Sequence, residues 1–460
     1  MPINKNKLAY ILLFSFIAVF VLIVLKGLLT PQPGDENIYY YTGKLISDGK
    51  VPYGDFLFVH PPLHGYLTAL VYGLFGFNIF ILKSVPLISI LISAFLIFKI
   101  AKEKFGSSEA VISSLLFLFS YSIMFNSVFS FGIEIATLFI IAGAYLLLNK
   151  NTFFSAGIFF GLAGITRLLS LVPIAVILAA ALLPDKRKFL RLSSGFIIIF
   201  LLVNGIFTLF FGSDYLIPVY KFHLLKSLEG RENFKEYTEV LKLNWVLFLS
   251  ASLFIFIKQK KPIAALASAS IVYLIFLMTL KKIFGFYFII IFPFLAIIGG
   301  YSIINFFRSL NLKKRWKRFI SVILLLIFIW NFSSDVLFLE KVGFTGFERG
   351  KELIDFVNSN SNMEHMLFGD DSVVPLLALS TNKRIALDFV DTNSEVFLSG
   401  IKNLNKVLND LKGKDVLFVI RSRQGISYFK EVRQFLNENC ELLSVFYDKR
   451  EGNYIVYRCR

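Results

Sequence analysis

Long apolar runs separated by short charged ones dominate the chain from residue 8 to about residue 340. The runs predict helices near 8–29, 79–101, 109–126, 128–148, 152–166, 168–184, 193–212, 243–258, 263–280, 284–306 and 318–339. Crossing a bilayer takes roughly twenty mostly apolar residues in a helix. The pattern therefore predicts a mostly α, polytopic membrane bundle of about eleven spans, some of them short. The first run follows Lys5 and Lys7 as a signal peptide would, but Lys26, Gly27, Leu28 and Leu29 come next, with no small-residue cleavage site. We read it as a retained first membrane helix. Residues 61–76 are apolar but short, and fit an interfacial or re-entrant helix beside the outer leaflet.

After residue 340 the pattern becomes that of a soluble chain. A helix near 347–360 precedes an apolar run at 365–369 and a short helix at 373–380. A strand at 384–389, a helix at 394–412, a strand at 415–420, a helix at 426–439 and strands at 441–447 and 454–458 follow. Helices alternating with strands predict a small α/β domain. The expected organisation is a transmembrane domain over 1–340 and an α/β domain over 341–460.

Composition agrees: 56% of the 460 residues are hydrophobic and 54 are Phe. A soluble domain of this size could not cover that much apolar surface. The formal charge of +17 would fit a nucleic-acid partner, but many of the basic residues sit in short clusters between apolar runs. With Lys5 and Lys7 in the cytoplasm, alternating turns put Lys99, Lys102, Lys104, Lys150, the group Lys186 to Arg191, the group Lys258 to Lys261 and the group Arg308 to Arg318 on the same side. That arrangement places the C-terminal domain outside the cell membrane. Two larger external loops result, at 30–78 and about 213–242. Cys440 and Cys459 have no metal spacing; a single bridge and two free thiols are both open readings.

The first external loop carries the most chemistry. Pro31, Pro33 and Gly34 stop the first membrane helix, and Asp35 is placed to cap a new helix running to about Ser47. Ile38, Tyr41, Thr42, Leu45 and Ile46 share one face of it. Asp35 and Glu36 then lie at a helix N-terminus, where the dipole favours the ionised form. An ionised carboxylate there can take a proton from a hydroxyl or amine. The alternative is a plain N-cap and a first-turn acid. His60, ahead of Pro61 and Pro62, can contact a phosphate or orient a carboxylate; taken alone, the motif reads first as a turn with an exposed His.

The order Asp35-Glu36, Tyr39, Gly49, Pro52-Tyr53, His60-Pro61-Pro62-Leu63 and Gly65-Tyr66 resembles the first loop of the GT-C glycosyltransferases that include protein O-mannosyltransferases and lipid A aminoarabinose transferases. The stretch Gly161-Leu162-Ala163-Gly164-Ile165-Thr166-Arg167 is similar to that family's glycine-rich short helix ending in a basic residue. Lys281-Lys282 with Tyr287 and Pro293 is similar to its late K…Y…P segment. The resemblance implies a polyprenyl-phosphate sugar donor, inversion at the anomeric centre, and Asp35 as catalytic base with Glu36 beside it. The chain departs from the family at two points. His60 and Pro61 stand where aminoarabinose transferases carry a glutamate-lysine pair, and Phe58 stands where mannosyltransferases carry an acid. The second acid of either subfamily is missing, which leaves the acceptor open among protein, lipid and glycan.

Such a reaction needs cations for the phosphate. Arg167, Lys281 and Lys282 sit at helix ends and are the candidates, with snorkelling as the alternative for the two lysines. Glu134, early in a span, is an active-site candidate or a structural partner of a neighbouring helix. His223, Lys226 and Arg231 in the second loop can contact donor or acceptor, or simply be solvated. No cofactor is expected. A divalent cation is compatible with the chemistry, but no ligand cluster supports one, and Asp370 and Asp371 are expected to cap the helix starting near Val373. The tail is read as an acceptor-binding or structural module. The rival classes are a lipid-linked-sugar flippase and a membrane receptor. A transporter calls for repeats and mid-membrane polar groups, which the sequence lacks, and a receptor gives no reason for the acid pair and His-Pro-Pro-Leu.

Overall fold

The computed structural model describes residues 5–182, 185–225, 230–258, 260–310, 313–360, 365–422, 425–448 and 452–460. Among these, seven helices are long and apolar enough to cross a membrane: Asn6–Leu29, Ile79–Lys104, Ile133–Lys150, Lys186–Phe211, Lys261–Thr279, Gly285–Ser309 and Arg318–Gly343. Three shorter apolar helices, Ser107–Leu118, Phe153–Thr166 and Leu168–Ala180, meet three more of the predicted segments. The predicted helix 243–258 is the second arm of a pair, Asn233–Leu243 and Trp245–Phe256, bent by 80°. Every predicted apolar segment thus has a helical counterpart, although several are broken. The predicted helix 109–126 stops at Leu118 and restarts at Tyr121, and Ser120 turns its hydroxyl onto the carbonyl of Phe117 at 2.9 Å. Residues 61–76 form the 14-residue helix Pro62–Phe75, too short to span. The stretch 213–242 is largely helical among its described residues, with Ser213–Leu216, a π turn at Ile217–Lys221 and the helix Gly230–Leu243.

The chain divides into two compact units. The first comprises residues 1–28, 83–205 and 229–344. Its core is a continuous set of buried aliphatic and aromatic side chains, including Phe20, Val24, Phe117, Phe160, Phe288 and Phe292. Close helix packing explains its glycines. A Cβ on Gly157 would lie 2.0 Å from the carbonyl oxygen of Leu192, and one on Gly195 would lie 2.1 Å from that of Phe154. The backbones of Phe153–Thr166 and Lys186–Phe211 touch there, as small residues permit inside a membrane. Lys83 is fully buried, with its ammonium donating to the Gly27 carbonyl at 3.0 Å and lying 5.1 Å from the Phe129 ring centroid.

The second unit comprises residues 29–82, 206–228 and 345–460, so the first external loop belongs with the C-terminal segment. Its sheet has five strands: β1 (Met366–Gly369), β2 (Arg384–Ile385), β3 (Val416–Arg421), β4 (Cys440–Phe446) and β5 (Tyr454–Cys459). The order is β2-β1-β3-β5-β4. β1 runs parallel to β2 and β3; β5 runs antiparallel to β3 and β4. The apolar run of β3 is buried along almost its whole length, as a central strand requires. The predicted helix 394–412 is two pieces, Ser394–Leu398 and Leu404–Leu411, separated by Gly400 at φ +74°. Cys440 and Cys459 are opposite each other in the β4–β5 ladder and form a disulfide, which closes the choice left open by the sequence.

Candidate active site

The turn Gln32–Asn37 holds the acid pair, and Asn37 is its bolt. The Asn37 amide donates to the carbonyls of Gln32 at 2.8 Å, Gly34 at 3.1 Å and Ser372 at 3.4 Å. The Gly34 amide donates to the same Ser372 carbonyl at 3.1 Å. The helix then runs Glu36–Ser47. Asp35 stands at its N-cap position but makes no side-chain capping hydrogen bond, so the capping alternative fails on geometry. Asp35 is half-buried, whereas Glu36 is 1% exposed. The Glu36 carboxylate folds back over Gly34, where a Cβ would lie 2.3 Å from Oε2. Of the pair, Asp35 is the more exposed acid.

One turn further along, Tyr39 Oη and His60 Nε2 share a hydrogen bond of 2.8 Å. His60 is therefore not a solvated turn residue. Its ring stacks on His223 at 5.6 Å, and Tyr53 donates to its carbonyl at 2.6 Å. His223 Nε2 donates to the Val59 carbonyl at 3.1 Å. Two separately predicted histidines are thus brought together beside the loop helix. Lys226 and the side chain of Arg231 lie outside the described residues. On the opposite face of the helix, Tyr41 accepts from the Ile385 amide at 2.8 Å, and burial pushes its hydroxyl up to about 12.

Asp370 and Asp371 do not cap a helix. The helix Val374–Thr381 has Val373 at its N-cap and no side-chain cap. Asp370 Oδ1 instead accepts from the Ser372 amide at 3.0 Å, and Oδ2 pairs with Arg421 Nε at 3.1 Å. The reason is local: Gly369 ends β1 at φ +136°, where a Cβ would run into the Val419 carbonyl, and the chain turns there. Asp371 is buried, and burial drives its carboxyl well above the usual range; Asp370, Asp35 and Asp391 push it the same way, and Arg421 opposes them.

In the first unit, Arg167 follows the helix Phe153–Thr166 in extended conformation and is 7% exposed. Its guanidinium donates to the Phe131 carbonyl. Glu134, fully buried in the first turn of Ile133–Tyr145, lies in the field of Arg167 and near the amides of Phe131 and Gly132. Asn233 holds the Lys281–Lys282 turn from the side: its amide donates to Leu280 at 2.8 Å and to Lys281 at 2.9 Å, and its oxygen accepts from Ile283 at 2.9 Å. Aromatic rings join the two basic segments. Phe131 stacks on Phe286 at 4.6 Å, Phe286 on Phe284 at 5.5 Å, and Lys282 Nζ lies 5.7 Å from the Phe284 ring centroid. Tyr287 is half-buried and takes part through its carbonyl, which accepts from Tyr273 at 2.9 Å. Glu134 lies in the field of Arg167, although among the described residues neither of its carboxylate oxygens has a hydrogen-bond partner, and both basic segments sit on one aromatic ladder. Among the described residues no group of three or more His, Cys, Asp or Glu side chains could hold a metal.

Comparison with solved structures decides the fold. ArnT from Cupriavidus metallidurans, bound to undecaprenyl phosphate, is similar with a TM-score of 0.66 over 97% of this chain and 97% of that one, at 14% identity. The archaeal oligosaccharyltransferase AglB from Archaeoglobus fulgidus, in complex with an inhibitory peptide and a dolichol-phosphate, gives 0.58 over 96% and 74%, at 11% identity. The arabinofuranosyltransferase AftD from Mycobacteria gives 0.56 over 97% and 41%, at 12% identity. The chain has the GT-C fold.

The family model described as dolichyl-phosphate-mannose-protein mannosyltransferase matches residues 59–210 of this GT-C chain. That segment takes in His60, Glu134 and Arg167 and leaves Asp35 outside. No curated protein matches by sequence. With its apolar helices, the GT-C fold makes this a multi-pass membrane protein. Sequence reasoning missed three positions. Asn37 and Asn233 carry no distinguishing local pattern. Lys83 did carry one, as a lone cation inside an apolar run.

Proposed function

We propose that the protein is an inverting membrane glycosyltransferase that moves a sugar from a polyprenyl-phosphate carrier to an acceptor on the extracytoplasmic face, with Asp35 as base. The observation that carries this is the half-exposed Asp35, held by a bolted turn yet relieved of capping duty. Asp35 takes the proton of the acceptor hydroxyl or amine. The freed lone pair forms a bond to the anomeric carbon from the face opposite the phosphate. The bond from that carbon to the phosphate oxygen breaks, and polyprenyl phosphate leaves with the electron pair. Arg167, Lys281 and Lys282 serve to balance the phosphate charge. His60 and His223 serve to orient substrate, and Glu134 sets the charge around Arg167. Glu36 supports the turn behind Asp35.

The lipid phosphates bound by ArnT and AglB support this donor class. The alternating basic clusters support a cytoplasmic N-terminus, and the Cys440–Cys459 disulfide supports an oxidising compartment for the C-terminal segment. The test is turnover by purified protein in lipid nanodiscs, given a panel of polyprenyl-phosphate hexoses and pentoses with extracts of cell-envelope acceptors. Release of polyprenyl phosphate with label in an acceptor is expected. Folded protein that releases none from any donor sinks the proposal.

The acceptor side has a physical candidate within the second unit. A cavity of about 310 Å³ is lined by Tyr53, Asp55, Asp214, Leu387, Asp388 and Lys402, among others. Carboxylates, an ammonium and aromatic edges suit a polar, hydroxyl-bearing acceptor. Tyr53 joins this cavity to His60. Asp214→Ala is expected to raise the acceptor KM about 10-fold, the loss of one charge-assisted hydrogen bond, with the donor KM unchanged. An unchanged acceptor KM in the Asp214→Ala, Lys402→Ala double variant places the acceptor elsewhere.

A further inference from the structure

The sequence reads the tail as an acceptor-binding or structural module without catalytic residues, but one of its turns is fastened to the acid-bearing loop. We propose that the turn Asp370–Ser372 is a positioning element for Asp35, so that the C-terminal segment is part of the catalytic apparatus. The inference rests on the reading of Asp35 as base. The Ser372 carbonyl receives both the Gly34 amide at 3.1 Å and the Asn37 side chain at 3.4 Å, the two residues that flank the acid pair. The turn is itself fixed from three sides. The Asp370 amide donates to Val419 on β3 at 2.8 Å. The Asp370 carboxylate pairs with Arg421 at the end of the same strand. Arg421 also donates to the Ser372 hydroxyl at 3.0 Å. A central strand thereby transmits its rigidity, through Asp370 and Ser372, to the backbone next to Asp35.

Asp371 sits in the same turn within the field of Asp35. A base must be held close to its working geometry, and a shift of about 1 Å can cost on the order of 100-fold in rate.

Two readouts on the full chain in detergent or nanodiscs test this. In Arg421→Gln, and separately in Asn37→Ser, amide exchange across residues 33–38 should rise about tenfold or more, as expected when the side-chain hydrogen bonds that hold the turn are lost. Exchange in β1, β3 and β5 should stay as in wild type. Turnover should fall about 10- to 100-fold in kcat with the donor KM unchanged, and Arg421→Lys should recover most of it. Asp370→Asn keeps the size and the acceptor for Ser372, so it should fold and show a smaller loss of the same kind. Unchanged exchange at 33–38, or unchanged kcat in variants whose loop does exchange faster, overturns the proposal. So does a kcat loss that appears only with general exchange throughout the sheet. A wild type inert with every donor defeats the assignment of Asp35 instead, and the exchange arm still decides whether the turn holds the loop.

Discussion

Asp35→Asn is expected to lower sugar transfer by a factor of about 10² to 10⁴, the usual worth of a positioned general base, while the protein stays folded. The substitution is nearly isosteric. Asp35 makes no side-chain cap, and the turn around it is held by Asn37 and Ser372. A near-isosteric change at this half-buried position leaves those supports in place, so the melting temperature should shift little. The donor KM should be unchanged, because a base that meets only the acceptor contributes nothing to phosphate binding. Glu36→Gln is the informative contrast. Glu36 is 1% exposed and folded over Gly34, so its change should show first as lost stability. Turnover of Asp35→Asn at the wild-type rate removes Asp35 as base; full inactivation by Glu36→Gln in a stable protein moves the role one residue along.

The acid pair was legible because the helix start that carries it is written locally. Pro31, Pro33 and Gly34 end one helix, and Asp35-Glu36 ahead of a helical face starts another. The apolar segments were legible for a similar reason: in lipid the backbone must satisfy itself, and a helix does so within one segment. The supports were not legible. Ser372 lies 335 residues from Asn37, and its contribution is a main-chain carbonyl that any residue would offer. Asn233 reaches across to the turn at Lys281 in the same way. The Asp370-Asp371 pair was misread because acids before an apolar helix usually cap it. Here the turn that follows Gly369 commits Asp370 to Arg421 instead. Lys83 shows the reverse case, a visible anomaly whose solution, the Gly27 carbonyl and the Phe129 face, needed the fold.

Arg167→Gln is expected to have the second large effect, and the difficulty lies in separating its two causes. Arg167 is 7% exposed, donates to the Phe131 carbonyl and puts its positive field on the fully buried Glu134, so removing it strips a buried charged hydrogen bond from the bundle. Losing such a bond costs about 1.5–3 kcal/mol, and a drop in melting temperature follows. If Arg167 also serves the donor, affinity for polyprenyl phosphate should fall about 10- to 100-fold, the range of one charged hydrogen bond. The double variant Glu134→Gln, Arg167→Gln separates the two. It removes both charges, so the part of the stability loss that comes from a buried carboxyl without a neighbouring cation should be recovered. Phosphate affinity should not return, since nothing in the double variant replaces the guanidinium. Binding of radiolabelled undecaprenyl phosphate alongside thermal unfolding measures both. Wild-type affinity in a folded double variant would mean that Arg167 has only a structural role, and the phosphate would then have to be held by the segment Lys281–Lys282. The single variant Glu134→Gln adds the last constraint. It leaves Arg167 donating to the Phe131 carbonyl and takes the Glu134 carboxyl out of its surroundings, so donor affinity should hold or rise if the guanidinium meets the phosphate.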